Sequence, residues 1–226
     1  MMLLLHVKLQ TTVDNQKQET QKQEMILPIV VYGDPVLRKV GVDIDKNYEG
    51  LEQLIADMFE TMYSANGVGI AAPQIGKAIR LFVIDASPFA ERDEDDEEES
   101  EFSKKELELL RNFKKVFINA QIIEEDGKEW KFNEGCLSIP KLREDVMRKP
   151  KIKIKYFDQN FEKHTEEYDG LIARIIQHEY DHIQGVLFTD RISPVRRSMI
   201  SGKLTDISKG KTNPDYKIKV YKAKSK

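Results

Sequence analysis

The stretch Leu171-Ile172-Ala173-Arg174-Ile175-Ile176-Gln177-His178-Glu179-Tyr180-Asp181-His182-Ile183-Gln184 decides how this 226-residue chain is read. Leu171, Ile172, Ile175, Ile176 and Ile183 give it an apolar side at helical spacing, Asp169 is placed to cap its start and Gly185 to stop it. The pattern predicts a helix over 171–184. Within it, His178 and His182 stand four residues apart and project from one face, where both imidazoles can meet a single metal ion. Glu179 sits about 100° round the same helix. Two helix histidines satisfied by ordinary hydrogen bonds are the plainer alternative.

Working outward, Arg80 to Ala86 is a short apolar run of the kind that forms a buried strand, and Lys114 to Ile123 reads as another. Lys151 to Phe157 alternates Ile152, Ile154 and Tyr156 with lysines, as a half-exposed strand does. Leu51, Leu54, Ile55, Met58, Phe59 and Met62 mark an amphipathic helix running to about Asn66, with Gly67 suited to a left-handed position beyond it. Strands followed by a late helix, without regular alternation, argue for an α+β fold: mixed or antiparallel sheets around a central metal-binding helix. No internal repeat is visible.

Charged residues make up 33% of the chain, against a usual share of roughly 25%. The net charge of −3 hides an asymmetry: Glu91 to Glu101 holds nine acids and one arginine, a local −8, so the remainder carries +5. Lys203 to Lys226 holds eight lysines against Asp206 and Asp215, a local +6. Two solvated charged faces are the plain reading of these runs. Residues 1–24, Gln- and Lys-rich after a short apolar start, are expected to be a disordered extension, and 25–226 a single catalytic domain. The acidic segment at about 89–106 is expected to be a solvated, mobile insertion outside the site. A basic segment at about 203–226 is expected to include a terminal strand at Lys217 to Tyr221. No apolar run approaches the roughly 18–20 residues of a membrane-spanning helix. The single cysteine excludes an internal disulfide framework, and a cytoplasmic location is expected, with neither membrane nor DNA as partner.

Two histidines leave a catalytic metal site short of a third protein ligand, with one further position for water. After Glu179 there is no other Glu, and after His182 no other His, so the downstream ligand usual in helix-motif metalloproteases is missing. His6, His164, an aspartate or Cys136 remain. Cys136 lies in Asn133-Glu134-Gly135-Cys136-Leu137-Ser138-Ile139-Pro140, a glycine-containing turn just before proline. A lone cysteine is more often a small buried hydrophobe, but the incomplete histidine pair favours it here, and thiolate with two imidazoles suits Zn²⁺ or Fe²⁺ with one open vertex. A third segment, Gly67-Val68-Gly69-Ile70-Ala71-Ala72-Pro73-Gln74, lacks the Lys and Ser/Thr of a phosphate loop. Its small residues let a ligand approach the backbone, and Gln74 offers an amide donor.

Taken together and in this order, the three segments resemble peptide deformylase: Gly67 to Gln74 matches Gly-x-Gly-x-Ala-Ala-x-Gln, Glu134 to Ser138 matches Glu-Gly-Cys-Leu-Ser, and Gln177 to His182 matches Gln-His-Glu-x-Asp-His. The similarity spreads over about Met25 to Pro194. The resemblance implies removal of the formyl group from N-formylmethionine at the start of new polypeptides. It implies Cys136, His178 and His182 as metal ligands, Glu179 as general acid and base, and Gln74 with the Leu137 backbone N–H as oxyanion donors. It places Gly67, Val68, Gly69, Gly135 and Arg143 near the peptide, and Ile139, Leu171 and Ile175 are candidates for the methionine slot. Glu134, and an ion pair between Asp181 and Arg148, are expected behind the ligands. Fe²⁺ is the expected ion in the cell, with Zn²⁺ or Ni²⁺ in purified protein. The partners implied are N-formylmethionyl nascent peptides, with a ribosome contact through basic segments.

The residue chemistry is consistent with each role. A bound cation lowers the pKa of water from 15.7 toward about 7, a carboxylate beside it can take the proton, and an oxyanion donor typically contributes about 2.7–4 kcal/mol. The rivals are a metalloendopeptidase, predicting a ligand other than Cys136, a closed structural metal module, and a basic-tailed RNA-binding protein lacking any aromatic-basic module.

Overall fold

The computed structural model describes residues 24–95 and 102–222. The expected extension up to residue 23, including His6, the acidic residues 96–101 and the last four residues lie outside them. Among the described residues, nine strands and five helices follow one another as β1 (Ile29–Val30), α1 (Leu51–Ser64), β2 (Gly69–Ala71), β3 (Leu81–Asp85), α2 (Ser87–Asp95), α3 (Lys104–Arg111), β4 (Lys114–Asp126), β5 (Trp130–Cys136), β6 (Ile139–Arg148), β7 (Lys151–Phe157), β8 (Lys163–Tyr168), α4 (Gly170–Ile183), α5 (Pro194–Ser208) and β9 (Ile218–Lys219). Short 3-10 turns lie between several of them.

β2, β3, β4, β7 and β8 form one antiparallel sheet in that order, β5 and β6 a separate antiparallel hairpin, and β1 pairs in parallel with β9. The lysine alternation of β7 reflects a strand whose Ile152, Ile154 and Tyr156 are buried while the lysines between them face outward. Helix α4 lies against β2 and β3. Asp169 accepts a hydrogen bond from the Gly170 N–H at its start. Gly185 follows its end at φ +72°, where a Cβ would stand 2.7 Å from the Arg38 carbonyl oxygen, so only glycine fits the close approach.

Three hydrophobic clusters meet around the hairpin. Leu171 and Ile175 belong to the first, Met58, Met62 and Leu81 to the second, and Ile139, Leu142 and Val146 to the third. Helix α4 flanked by these sheets is the α+β arrangement the sequence predicts.

Four local expectations change. The left-handed residue after α1 is Asn66 (φ 53°), not Gly67; a short polar side chain tolerates that region. The turn expected around Cys136 is narrower than the stretch read as one: Leu137 and Ser138 turn between β5 and β6, which form a two-stranded hairpin. Helix α5, with Ile200, Leu204 and Ile207 buried, fills the region before the basic tail, and the expected terminal strand is the two-residue β9. The acidic insertion is no loop at its borders: Phe89 and Ala90 on α2 and Leu107 and Leu110 on α3 pack into the first cluster. Acidic composition overrode two flanking apolar pairs in the sequence reading. Among the described residues no helix is long and apolar enough to cross a membrane.

Candidate active site

The hairpin and α4 deliver the site. A register shift between Gly135 and Cys136 turns the end of β5 toward the helix, and there the Cys136 Sγ lies 3.2 Å from His182 Nε2. Ligand atoms of Cys136, His178 and His182 all fall within 4.8 Å of one another. Bonds of about 2.0–2.3 Å to one tetrahedral ion separate its ligands by roughly 3.4–3.8 Å, so these three donors fit a single cation. His164, the other described histidine, instead bonds Asp158 Oδ2 at 2.9 Å on β8.

Behind the ligands is a buried polar network. Glu134 Oε2 bonds His178 Nδ1 at 2.9 Å, which leaves the Nε2 of that ring to face the thiol. The Glu134 carboxylate also accepts from Arg148 Nε and Nη2 at 2.7 and 2.9 Å and from Arg174 Nη1 at 3.0 Å. Arg148 Nη1 reaches Asp181 Oδ2 at 2.7 Å, and Asp181 is held in turn by Arg191. Burial alone favours the neutral acid at Glu134, but hydrogen bonds from Arg148 and His178 outweigh it and hold the carboxyl far below the usual range. Burial lowers the pKa of His182 well below the usual imidazole value and so favours the neutral ring, the form that can ligate.

Glu179 has the opposite environment. It is buried, its Oε2 has no hydrogen-bond partner among the described residues, and burial pushes its pKa up to about 7. A Cβ on Gly69 would stand 2.5 Å from Glu179 Oε1, so the bare backbone there makes room for the carboxyl. Gln74 is oriented by its own strand end: its Oε1 accepts from the Ala71 N–H at 2.7 Å, which turns the amide nitrogen to within 3.6 Å of the Cys136 sulfur.

A cavity of about 390 Å³ opens onto these groups. Gly67, Val68, Gly69, Gln74, Glu134, Gly135, Cys136, Leu137, Ile139, Arg143, Leu171, Ile175, His178 and Glu179 line it; of the residues the resemblance names, His182, Asp181 and Arg148 are not in the lining but contact it or one another from behind. Arg143 is tied to Asn133 by hydrogen bonds of 2.9 and 2.6 Å.

Among the lining residues that escaped the sequence reading are Phe89, Phe132, Arg174 and Tyr216. Arg174 had a usable signal, four residues before His178 on the ligand-bearing face of α4. Phe132 stands two residues before Glu134 on β5, on the same strand face. Tyr216 carries no local signal, and Phe89 was absorbed into the acidic run.

A sulfur–nitrogen–nitrogen donor set, an adjacent carboxyl held near neutrality and an amide donor across an open cavity define the class of metal-dependent amide hydrolases. Residues 26–198 match the polypeptide deformylase family model, and the chain belongs to that family. It is 59% identical over 196 residues to the peptide deformylase of Flavobacterium psychrophilum, covering 87% of this chain and 97% of that one. Identity to the peptide deformylase of Christiangramia forsetii is also 59%, over 200 residues, or 88% and 98% of the two chains. A crystal structure of a peptide deformylase from Legionella pneumophila superimposes with a TM-score of 0.66 at 36% identity, covering 82% of this chain and 97% of that one. Plant peptide deformylase PDF1B does so with 0.68 at 34%, covering 84% and 93%. The chain is thus an enzyme that removes the N-formyl group from nascent peptides.

Proposed function

We propose that Cys136, His178 and His182 hold the divalent cation and that Glu179 carries the proton in hydrolysis of the formyl–methionine amide. The observation that carries this reading is the convergence of the thiol and both imidazoles beside the buried Glu179 carboxyl. A divalent cation supplies Lewis acidity there, making water acidic and favouring charge on oxygen; Fe²⁺ is the ion proposed for the cell, Zn²⁺ or Ni²⁺ being compatible with the same donors.

The protein's own groups do the rest. Glu179 accepts a proton from the attacking water as its oxygen adds to the formyl carbon, then returns one to the methionine nitrogen as the C–N bond breaks and formate leaves. Burial raises the Glu179 pKa to about 7 in the metal-free protein, and the carboxylate that takes the water's proton is the form favoured beside a bound cation. The Gln74 amide, with its oxygen already engaged by Ala71, and the Leu137 N–H donate to the oxygen that gains charge. Leu171, Ile175 and Ile139 offer the methionine side chain an apolar slot, with Phe132 beside them, while Gly67, Val68, Gly69, Gly135 and Arg143 flank the peptide. Glu134 fixes the His178 ring, and Arg148 with Asp181 holds Glu134 in place. The substrates are N-formylmethionyl nascent peptides in the cytoplasm. Exposed Lys203, Lys209, Lys211, Lys217 and Lys219 support an electrostatic contact with the ribosome surface.

The test is an anaerobic assay of formyl-Met-Ala-Ser with bound metal quantified. Glu179→Gln is expected to lose about 10²–10⁴-fold in turnover while keeping its metal; near-normal turnover removes Glu179 from the proton path. A second measurement uses the metal-free protein. Folding raises the Glu179 pKa from 4.5 to about 7, so ionisation favours the unfolded chain as pH climbs through that window, and the loss is complete above it. Glu179→Gln should therefore be more stable than the parent at pH 8, on the order of 2–3 kcal/mol, and equal to it near pH 4.5. A difference independent of pH in denaturant titrations rejects the raised pKa.

A further inference from the structure

We propose that Tyr216, in the C-terminal tail beyond the residues matched by the family model, is a positioning residue that holds the Leu137 peptide against the reacting centre. The match ends at residue 198, yet the chain returns to the site. The Tyr216 hydroxyl donates to the Leu137 carbonyl oxygen at 2.8 Å, across 79 positions of sequence, and its ring lines the catalytic cavity. The tail is anchored immediately afterwards. Ile29 N–H donates to the Lys217 carbonyl at 2.9 Å, and β1 and β9 pair from Ile218 onward. The same pair of chain ends holds the next carbonyl too, since Tyr32 N–H donates to Ser138 O at 2.8 Å.

The two carbonyls following Cys136 are thus both held by the β1–β9 region. On its other flank Leu137 has little freedom: its Cδ1 would lie 2.9 Å from a Cβ on Gly67. Leu137 and Tyr216 pack in the same cluster. Burial, followed by the charge of Cys136, raises the tyrosine pKa above its usual range, so the hydroxyl remains a donor wherever the enzyme works. An oxyanion donor acts through preorganisation, so a hydrogen bond that fixes residue 137 governs turnover more than substrate affinity. Among the described residues, no motif adjacent in sequence supplies that bond.

This inference rests on the proposed role of the Leu137 N–H, shared with Gln74, and the experiment separates the two. The variants are Tyr216→Phe, Gln74→Ala and their combination, assayed on formyl-Met-Ala-Ser per bound metal, with thermal unfolding midpoints recorded. Tyr216→Phe keeps the ring and should lower kcat about 10-fold with KM within about 2-fold, at a nearly unchanged midpoint. Its effect should shrink in the Gln74→Ala background, because both donors serve one oxygen. A lowered midpoint with unchanged kcat, or effects that simply multiply, overturns the positioning role while leaving the Gln74 and Leu137 reading intact. If Gln74→Ala alone leaves kcat unchanged, the oxyanion reading itself falls, and with it this inference.

Discussion

Behind His178, Glu134, Arg148, Arg174 and Asp181 are each at most 4% exposed and bond one another, whereas Val68, Phe89 and Phe132 elsewhere round the cavity are half-buried and pack against the first hydrophobic cluster. The contrast follows from what each region must fix. An imidazole that ligates a metal has to present one nitrogen in one direction, and only directional bonds from charged groups do that. A pocket for an unbranched side chain needs volume and apolar surface, which several arrangements supply. The first region should therefore fail abruptly on substitution and the second gradually.

The largest effect belongs to the proposed metal ligands. Cys136→Ser and His182→Ala should each lose metal and reduce deformylation by at least about 10³-fold, as metal analysis of the same preparations will show. Either variant holding metal and turning over normally would mean the site lies elsewhere.

Breaking the network from behind tests the directional half of the comparison. Arg148→Met removes the cation between two buried carboxylates, Glu134 and Asp181. Removing one partner of a buried ion pair costs about 3–5 kcal/mol; Arg174 and Arg191 still hold Glu134 and Asp181, which places the expected loss at the lower end, and denaturant unfolding will detect it. A loss below about 1 kcal/mol would put the network on a par with surface pairs.

Gly69→Ala acts at the boundary between the two regions. The added methyl would come within 2.5 Å of Glu179 Oε1, so the carboxyl must shift while the three ligands stay untouched. A displacement on that scale is expected to lower kcat about 10²-fold with metal content unchanged. Full activity would show that Glu179 has room to spare.

The same contrast explains what the sequence made legible. The ligand helix, its cap at Asp169 and its stop at Gly185 are local patterns, and His178, Glu179 and His182 lie within one and a half turns of it. Cys136, Glu134 and Gln74 lie in short motifs whose order was readable, although the hairpin that carries two of them was not, because its strand β6 alternates buried residues with charges that read as solvated surface. Arg174 and Phe132 follow from helical and strand periodicity once the ligands are known. Tyr216 and Phe89 depend on where distant chain segments come to rest, and no local period encodes that. Composition misled in one place: the acids of 91–101 outweighed Phe89 and Ala90, which the fold buries at the start of α2.

Phe89 supplies the smallest effect and sharpens the gradual half of the comparison. The insertion cannot be removed wholesale without cost, since Ala90 and Leu110 are at most 2% exposed in the first cluster, and deleting all of 89–106 should destabilise the enzyme rather than leave it unchanged. The single substitution Phe89→Ala is cleaner. Phe89 lines the cavity in company with Val68, Phe132, Leu171 and Ile175 and packs against the first hydrophobic cluster, so its loss should leave metal content and kcat near the parent's. Truncating a partly buried aromatic wall removes apolar contact worth about 1 kcal/mol, which predicts a KM for formyl-Met-Ala-Ser raised roughly 3- to 10-fold. A fall in kcat instead would place the insertion within the reacting geometry, and the division between a directional inner wall and a compliant outer one would then have to be redrawn at α2.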